Sequence, residues 1–375
     1  MLNKQLLVIG AGPAGLAAAI EAAKGGVKDL LVVDLNMLPG GQLFKQIHKF
    51  FGSSAHRAGI RGMDIGTQML KEASELGVEI WLNTACVGLF DDKIACLEKG
   101  LADGSKQITY VKAEKIIIAT GAQENVVRFK GWTLPGVMGA GAAQTMINVN
   151  KVQPGQKIVM LGTGNVGLIV SYQLLQAGCQ VVALVEAAPK IGGYGVHASK
   201  ISRKGVPIYT KHTIKEVKGD GPEGRVSEVT IVELDEKWNP IDGTEKVFEA
   251  DTVTLAAGLK PVSDLVKLQD IELVFNGVFG GWVPTHDENM ESTCKGIYVV
   301  GDTTGVEEAN TALEEGRLSG VAVAEALGCL KESEAAVLKA DVWERLNGLR
   351  MGPFGLKRAV AKKELMDAFP QTARG

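Results

Sequence analysis

Two glycine clusters and two acidic residues are the parts of this chain best suited to chemistry. Residues 6–15 read LLVIGAGPAG, followed by an alanine-rich run and LLVVD ending at Asp34. Residues 157–167 read KIVMLGTGNVG, followed by an apolar run and VVALVE ending at Glu186. The acid lies 24 positions after the first glycine in both copies, Gly10 to Asp34 and Gly162 to Glu186. Strand, glycine turn, helix, strand and acid at this spacing form the dinucleotide-binding βαβ unit. Gly10 and Gly162 allow the tight turn, and Gly12 and Gly164 let backbone approach a pyrophosphate. Gly15 and Gly167 let helix pack close to strand. The helix N-terminus offers free N–H groups to phosphate, and Asp34 and Glu186 are placed for ribose hydroxyls.

The surrounding elements must hold these turns. IIIATGA (residues 116–122) and TLAAGLKP (254–261) read as apolar strands ending in small-residue turns, each roughly a hundred residues after its glycine motif. GIYVVGDTTG (296–305) leads into a helical run, ALEEGRLSGVAVAEAL (312–327). The predicted class is therefore α/β, with two Rossmann-like three-layer dinucleotide-binding domains.

GAGPAG, PGGQ, ATG, GTGNVG and YVVGD together resemble the two-dinucleotide-binding-domain flavoproteins, the fold of thioredoxin reductase. The likeness runs to about residue 328. It implies an FAD domain split into residues 1–122 and 259–330, an inserted NAD(H) domain at 123–258, and a helical tail at 331–375. It implies that Gly10, Gly12, Pro13, Ala14 and Gly15 meet the FAD pyrophosphate, and that Asp34 meets the adenosine ribose. Gly40, Gly41 and Gln42 would run along the flavin, and Val87 or Cys86 would meet adenine through backbone. Gly301 and Asp302 would hold the ribityl and pyrophosphate region. A helix beginning near Ala309 would point its N-terminus at the flavin. For NAD it implies Gly162, Gly164, Asn165, Val166, Gly167 and Glu186. Thr120–Gly121 and Ala257–Gly258 would act as hinges, Thr120, Gly121 and Gly258 also lying beside the cofactors.

One departure from that fold bears on the chemistry. Thioredoxin reductases carry CxxC where this chain reads LPGVMGAGAAQTMINVN (134–150). The glutathione-reductase branch carries CxxxxC where it reads MLPGGQLFKQIHKF (37–50). Neither segment has a cysteine, so the expected enzyme is an FAD-dependent pyridine nucleotide oxidoreductase without a dithiol relay. PGVMGAGAAQTMINVNKVQPGQKIVMLGTG is similar to the FAD/NAD-type α subunits of heteromeric amine, opine and amino-acid dehydrogenases. That group includes hydrogen cyanide synthase, sarcosine oxidase and dye-linked proline dehydrogenase. This likeness implies that a second flavoprotein is the partner, within an oligomeric assembly. It also implies a small iron–sulfur subunit, since no cysteine follows Cys329. Glu186 is followed by Ala187, Ala188, Pro189 and Lys190 rather than an arginine cluster, which favours NAD(H) over NADP(H). A vestigial second domain is the alternative.

The rest of the sequence narrows the class. Net charge is −3, without a basic footprint for nucleic acid. Five scattered cysteines suit reduced thiols in a cytoplasmic protein. Glycines and Pro13 interrupt the N-terminal apolar run, so no signal peptide or membrane span is expected. The five histidines show no metal spacing. Lys45 and His48, just after PGGQ, are the candidate catalytic side chains; the competing reading is the solvated face of a short helix. In the tail, Leu338, Val342, Leu346 and Leu349 suggest an amphipathic helix, and Lys357, Arg358, Lys362 and Lys363 make its end basic. A docking surface and a plain surface helix both fit.

The leading expectation is a subunit passing electrons between NAD(H) and a partner redox protein of a small-molecule dehydrogenase. Hydride would move between nicotinamide and flavin, with the cofactors carrying the hard step. The alternatives are a stand-alone NADH-dependent reductase of a small acceptor, and a non-catalytic nucleotide-binding assembly subunit.

Overall fold

Neighbouring residues of a strand face opposite sides of its sheet. Leu6 and Val8 are buried in one core, Leu7 and Ile9 in another. A strand apolar on both faces needs a sheet covered on both sides. The computed structural model, which describes residues 1–221 and 224–370, has that arrangement twice. One unit is Met1–Gln123 with Lys260–Gly375, and the other is Glu124–Leu259.

The first unit starts with β1 (Leu2–Ile9), α1 (Pro13–Lys24), β2 (Leu30–Val33), α2 (Gly62–Glu75) and β3 (Glu79–Trp81). A meander follows: β4 (Thr84–Phe90), β5 (Ile94–Gly100) and β6 (Lys106–Ile118). The 13-residue β6 serves two layers. Residues 106–112 pair antiparallel with β5, and residues 111–118 pair parallel with β1. The order across the sheet is β3-β2-β1-β6-β5-β4.

The second unit is entered through β7 (Ala122–Glu124). It contains β8 (Val137–Gly139), α3 (Ala140–Thr145), β9 (Lys157–Leu161), α4 (Asn165–Gln176), β10 (Gln180–Glu186), α5 (Gly195–Arg203) and β11 (Ile208–Thr210). Then come β12 (His212–Asp220), β13 (Arg225–Glu233), β14 (Lys246–Glu249) and β15 (Thr252–Leu255). The order β11-β10-β9-β15-β8 is parallel throughout. Ile158 and Met160 of β9 pack toward α4 and α5; Val159 and Leu161 pack toward the antiparallel β12-β13-β14 sheet. Each unit therefore has three layers: helices, a parallel sheet and an antiparallel meander.

The chain returns through β16 (Leu259–Pro261), α6 (Asp264–Lys267), the hairpin β17 (Leu273–Asn276) and β18 (Gly281–Pro284), and β19 (Ile297–Val299), which joins β6 in parallel. Three helices close it: α7 (Ala309–Ala326), α8 (Glu332–Leu349) and α9 (Gly352–Asp367). Val342 and Leu346 are buried in the first unit's core as their helical spacing implies, but Leu338 is 41% exposed. Lys362 departs from a plain surface helix: it is buried, whereas Lys357 and Lys363 are exposed. Residues 371–375 lie outside the described residues. Among the described residues no helix is long and apolar enough to cross a membrane.

Helices α1 and α7 pack nearly backbone to backbone. A Cβ at Gly316 would lie 2.1 Å from Ala14 O, and one at Gly320 would lie 2.4 Å from Ala18 O. Gly316→Ala should therefore destabilise the protein by about 1–3 kcal/mol through overpacking. Chemical denaturation checks this, and an unchanged midpoint would show that the two helices can separate freely.

Candidate functional site

Each unit builds a turn between its first strand and first helix. Gly10 has φ +111°, and a Cβ there would stand 2.3 Å from Ala119 O. Gly162 has φ +103°, and its Cβ would stand 2.3 Å from Ala256 O. Gly15 and Gly167 repeat the match, with Cβ positions 1.8 and 2.1 Å from the carbonyl oxygens of Gly10 and Gly162. Gly12 and Gly164 cap α1 and α4 without a side-chain hydrogen bond to the exposed N–H groups. Pro13, Ala14, Asn165 and Val166 form the first turns. Asn165 Oδ1 accepts from Tyr194 N–H at 2.9 Å, so this side chain serves the adjacent loop. Val166 is 41% exposed.

The acids lock these turns in the same way. Asp34 Oδ2 accepts from Ala11 N–H at 2.7 Å, and Oδ1 accepts from the backbone and side-chain nitrogens of Asn36 at 2.8 and 2.9 Å. Glu186 Oε2 accepts from Thr163 N–H at 2.9 Å and Thr163 Oγ1 at 2.6 Å; Oε1 accepts from Ala188 N–H at 2.9 Å. A carboxylate offers about four acceptor positions, so each acid keeps capacity for a further hydroxyl.

A glycine pair lies on each turn. Gly40 N–H donates to Ala11 O at 2.8 Å, and a Cβ at Gly41 would be 2.8 Å from Gly12 Cα. In the second unit Gly193 N–H donates to Thr163 O at 2.9 Å, and its Cβ would be 2.9 Å from Asn165 N. The Gly192–Gly193 pair belongs to no motif recognised in the sequence. Its signal is spacing: Gly40 and Gly192 each fall 30 positions after the first glycine. Beyond Gly41, Gln42 is exposed, while Lys45 and His48 are half-buried. Lys45 ends a short 3-10 turn, and the His48 ring stacks on Phe50 with centroids 6.2 Å apart.

The other first-unit residues fall into place around β6 and α7. The register of β4 against β5 shifts between Cys86 and Gly88, so Val87 is a bulge whose backbone is released from the ladder. Burial pushes the Cys86 thiol up to about 12, which leaves it inert. Thr120 Oγ1 donates to Val262 O at 2.8 Å, and Gly121 N–H donates to Thr303 Oγ1 at 2.9 Å. Gly301 has φ +66° and lies against Ala14. Among the described residues, the Asp302 carboxylate accepts only a long bond, 3.3 Å, from Glu307 N–H. Burial, reinforced by the charges of Glu315, Glu307 and Glu308, pushes its carboxyl up to about 7. Ala309 is the first residue of α7 after the N-cap Glu308. Next to it, Asn310 is 4% exposed and donates to Phe51 O at 2.8 Å, but its Oδ1 has no partner among the described residues. In the second unit Gly258 has φ +89° and accepts from Asn125 N–H at 3.0 Å. Among the described residues no three of His, Cys, Asp and Glu cluster as metal ligands do.

The model of the Pyridine nucleotide-disulphide oxidoreductase family matches residues 4–316. The chain belongs to this family. It is 32% identical to one subunit of the opine oxidase of Agrobacterium tumefaciens (strain Ach5), over 84% of this chain and 64% of that protein. It is 25% identical to Hydrogen cyanide synthase subunit HcnB of Pseudomonas aeruginosa, over 95% of this chain and 78% of that one. Thioredoxin reductase of T. acidophilum shares the fold, with TM-score 0.68 and 19% identity over 87% of this chain and 99% of that one. The chain spans under two thirds of the opine oxidase polypeptide it matches.

Membership makes the chain an FAD-dependent oxidoreductase. The residues present fit a flavin nucleotide in the first unit. The Gly12 turn has no side-chain cap on its N–H groups, and among the described residues Asn310 Oδ1 has no donor and Asp302 has only the long bond from Glu307 N–H. A bound flavin with its ribityl hydroxyls brings both a donor for such acceptors and a phosphate for such a turn.

Asp302 makes a pH-dependent prediction. Its folded pKa, about 7, lies above the roughly 3.9 of an unfolded aspartate. Between pH 4 and 7 the folded state holds a proton that the unfolded state has lost, so stability falls as pH rises through this window. Flavin-free Asp302→Asn protein should melt above the wild type at pH 8 and level with it near pH 4. Equal melting temperatures at both pH values would show that the carboxylate is not strained.

Proposed function

We propose that this chain is a subunit that carries electrons between NAD(H) and a partner redox protein of a multi-component dehydrogenase for amino acids, amines or hydroxy acids. The observation that carries the reading is the duplicated turn. Two acids lock two glycine turns by equivalent bonds, Asp34 to Ala11 N–H and Glu186 to Thr163 N–H. One turn suits FAD and the other an adenine dinucleotide whose 2′-hydroxyl is free, because Glu186 would repel a 2′-phosphate. Bound flavin and nicotinamide supply the hydride exchange. The chain supplies turns that fix the phosphates, acids that fix the riboses, and packing that excludes water.

The partner follows from two facts. The sequence has no CxxC or CxxxxC to take electrons onward as a dithiol. The two relatives named above are each one subunit of an oxidase or a synthase. A second subunit that oxidises the small molecule would complete the electron path.

Anaerobic titration of the purified protein tests this reading. NADH should bleach the flavin band, with NADPH at least tenfold less effective (about 1.4 kcal/mol of discrimination). Glu186→Ala should narrow that gap. A flavin band that neither nucleotide bleaches would refute the NAD(H) role and leave the second unit as scaffold.

A further inference from the structure

Arg350 at the end of α8 and Lys362 on α9 turn inward, onto the segment that leads into α7. Lys362 is 2% exposed, and its Nζ donates to Thr304 O at 3.0 Å and Thr304 Oγ1 at 2.6 Å. It lies 3.0 Å from Glu315 Oε1 and 5.2 Å from the Phe279 ring centre. Arg350, which caps α8, is 5% exposed. Its Nη2 lies 2.7 Å from both Glu315 Oε1 and Glu307 Oε1, and its Nε lies 3.1 Å from Glu307 Oε2. His286 is neutral here, because burial and the adjacent Lys362 push it down to about 3. Its Nδ1 is 2.8 Å from Asp287 O, so Nε2 presents a lone pair to Lys362 Nζ at 3.5 Å.

Glu315 transmits this cluster to the candidate flavin turn. Its Oε2 accepts from Gly301 N–H and Thr304 Oγ1, both at 3.0 Å. Residues 301 and 304 flank Asp302. On the other side, Arg350 holds Glu307, whose N–H donates to Asp302 Oδ1. The segment from 301 to 307 is thus fastened at both ends to cations of the C-terminal helices. Buried ion pairs are weak sources of net stability, because desolvation offsets their attraction. What they fix well is position. They also balance charge: Asp302, Glu307, Glu308 and Glu315 crowd this segment, and Arg350, Lys362 and Arg358 (3.5 Å from Glu308) face them.

We propose that the α8–α9 segment is an electrostatic strap on the flavin turn, in which Lys362 and Arg350 are positioning residues acting through Glu315. The strap rests on the reading that the first unit holds FAD. It keeps Gly301, Asp302 and the start of α7 in the arrangement that retains the flavin. It also neutralises carboxylates beside a group that gains negative charge on reduction.

The test uses the full chain reconstituted with FAD. Lys362→Met should raise the FAD dissociation constant at least tenfold and move the flavin midpoint potential to more negative values. Lys362→Arg, which keeps the charge, should keep the potential near wild type. Leu346→Ala, buried on α8 outside the cluster, should lower the melting temperature without changing FAD affinity or potential. If Lys362→Met does not fold, Lys362→Met with Glu315→Gln preserves the buried charge balance, and the same loss of FAD affinity is expected. Wild-type FAD affinity and potential in the folded Lys362 variant would overturn the strap. So would losses in Leu346→Ala that match its own fall in melting temperature. A wild-type chain that binds no FAD would overturn the flavin reading and the strap together.

Discussion

The close approach of backbone to backbone at the first helix of each unit is the constraint on which the rest depends. Gly15 and Gly167 lie so near the carbonyls of Gly10 and Gly162 that no side chain fits between. That contact lets the helix start directly at the strand end and presents its N–H groups as a bare anion site. It also fixes where the acids must be. Asp34 and Glu186, at the ends of the adjacent strands, can then bond the turn itself. Each acid therefore closes its turn and keeps acceptor capacity to spare.

The same closeness propagates through the first unit. With α1 drawn onto β1, α7 packs against α1 through Gly316 and Gly320, and the 301–304 turn meets Ala14 through Gly301. The N-terminal end of α7 is thus placed by glycines at both ends of a short chain of contacts. Carboxylates crowd that end. The structure meets their charge with Arg345 and Arg317 on Glu314, and with Arg350 and Lys362 on Glu315. Burial pushes the Glu315 carboxyl up, but Lys362 and Arg350 outweigh it and hold it below the usual carboxylate range. Among the described residues Asp302 has no such cation, and burial raises it to about 7.

The two units repeat one turn geometry, but they are equipped differently. Both have three layers, a locking acid and a glycine pair over the turn. Only the first carries the extra C-terminal helices and their buried cations. Those cations give the first unit a fixed electrostatic setting.

The sequence alone determined the turns, the acids and the layer order. These follow from local rules: a glycine's freedom, the period of a strand, and a spacing of 24 residues that spans one βαβ unit. Tertiary structure alone decided which charges are buried. Lys362 reads like Lys357 and Lys363, and it meets Thr304 across 58 positions. Arg350 meets Glu315 across 35. No local pattern marks a cation that packing will enclose, because its partners are chosen by long-range docking of helices. The bulge at Val87 and the Gly193 contact with Thr163 likewise exist only once strands pair and loops fold back.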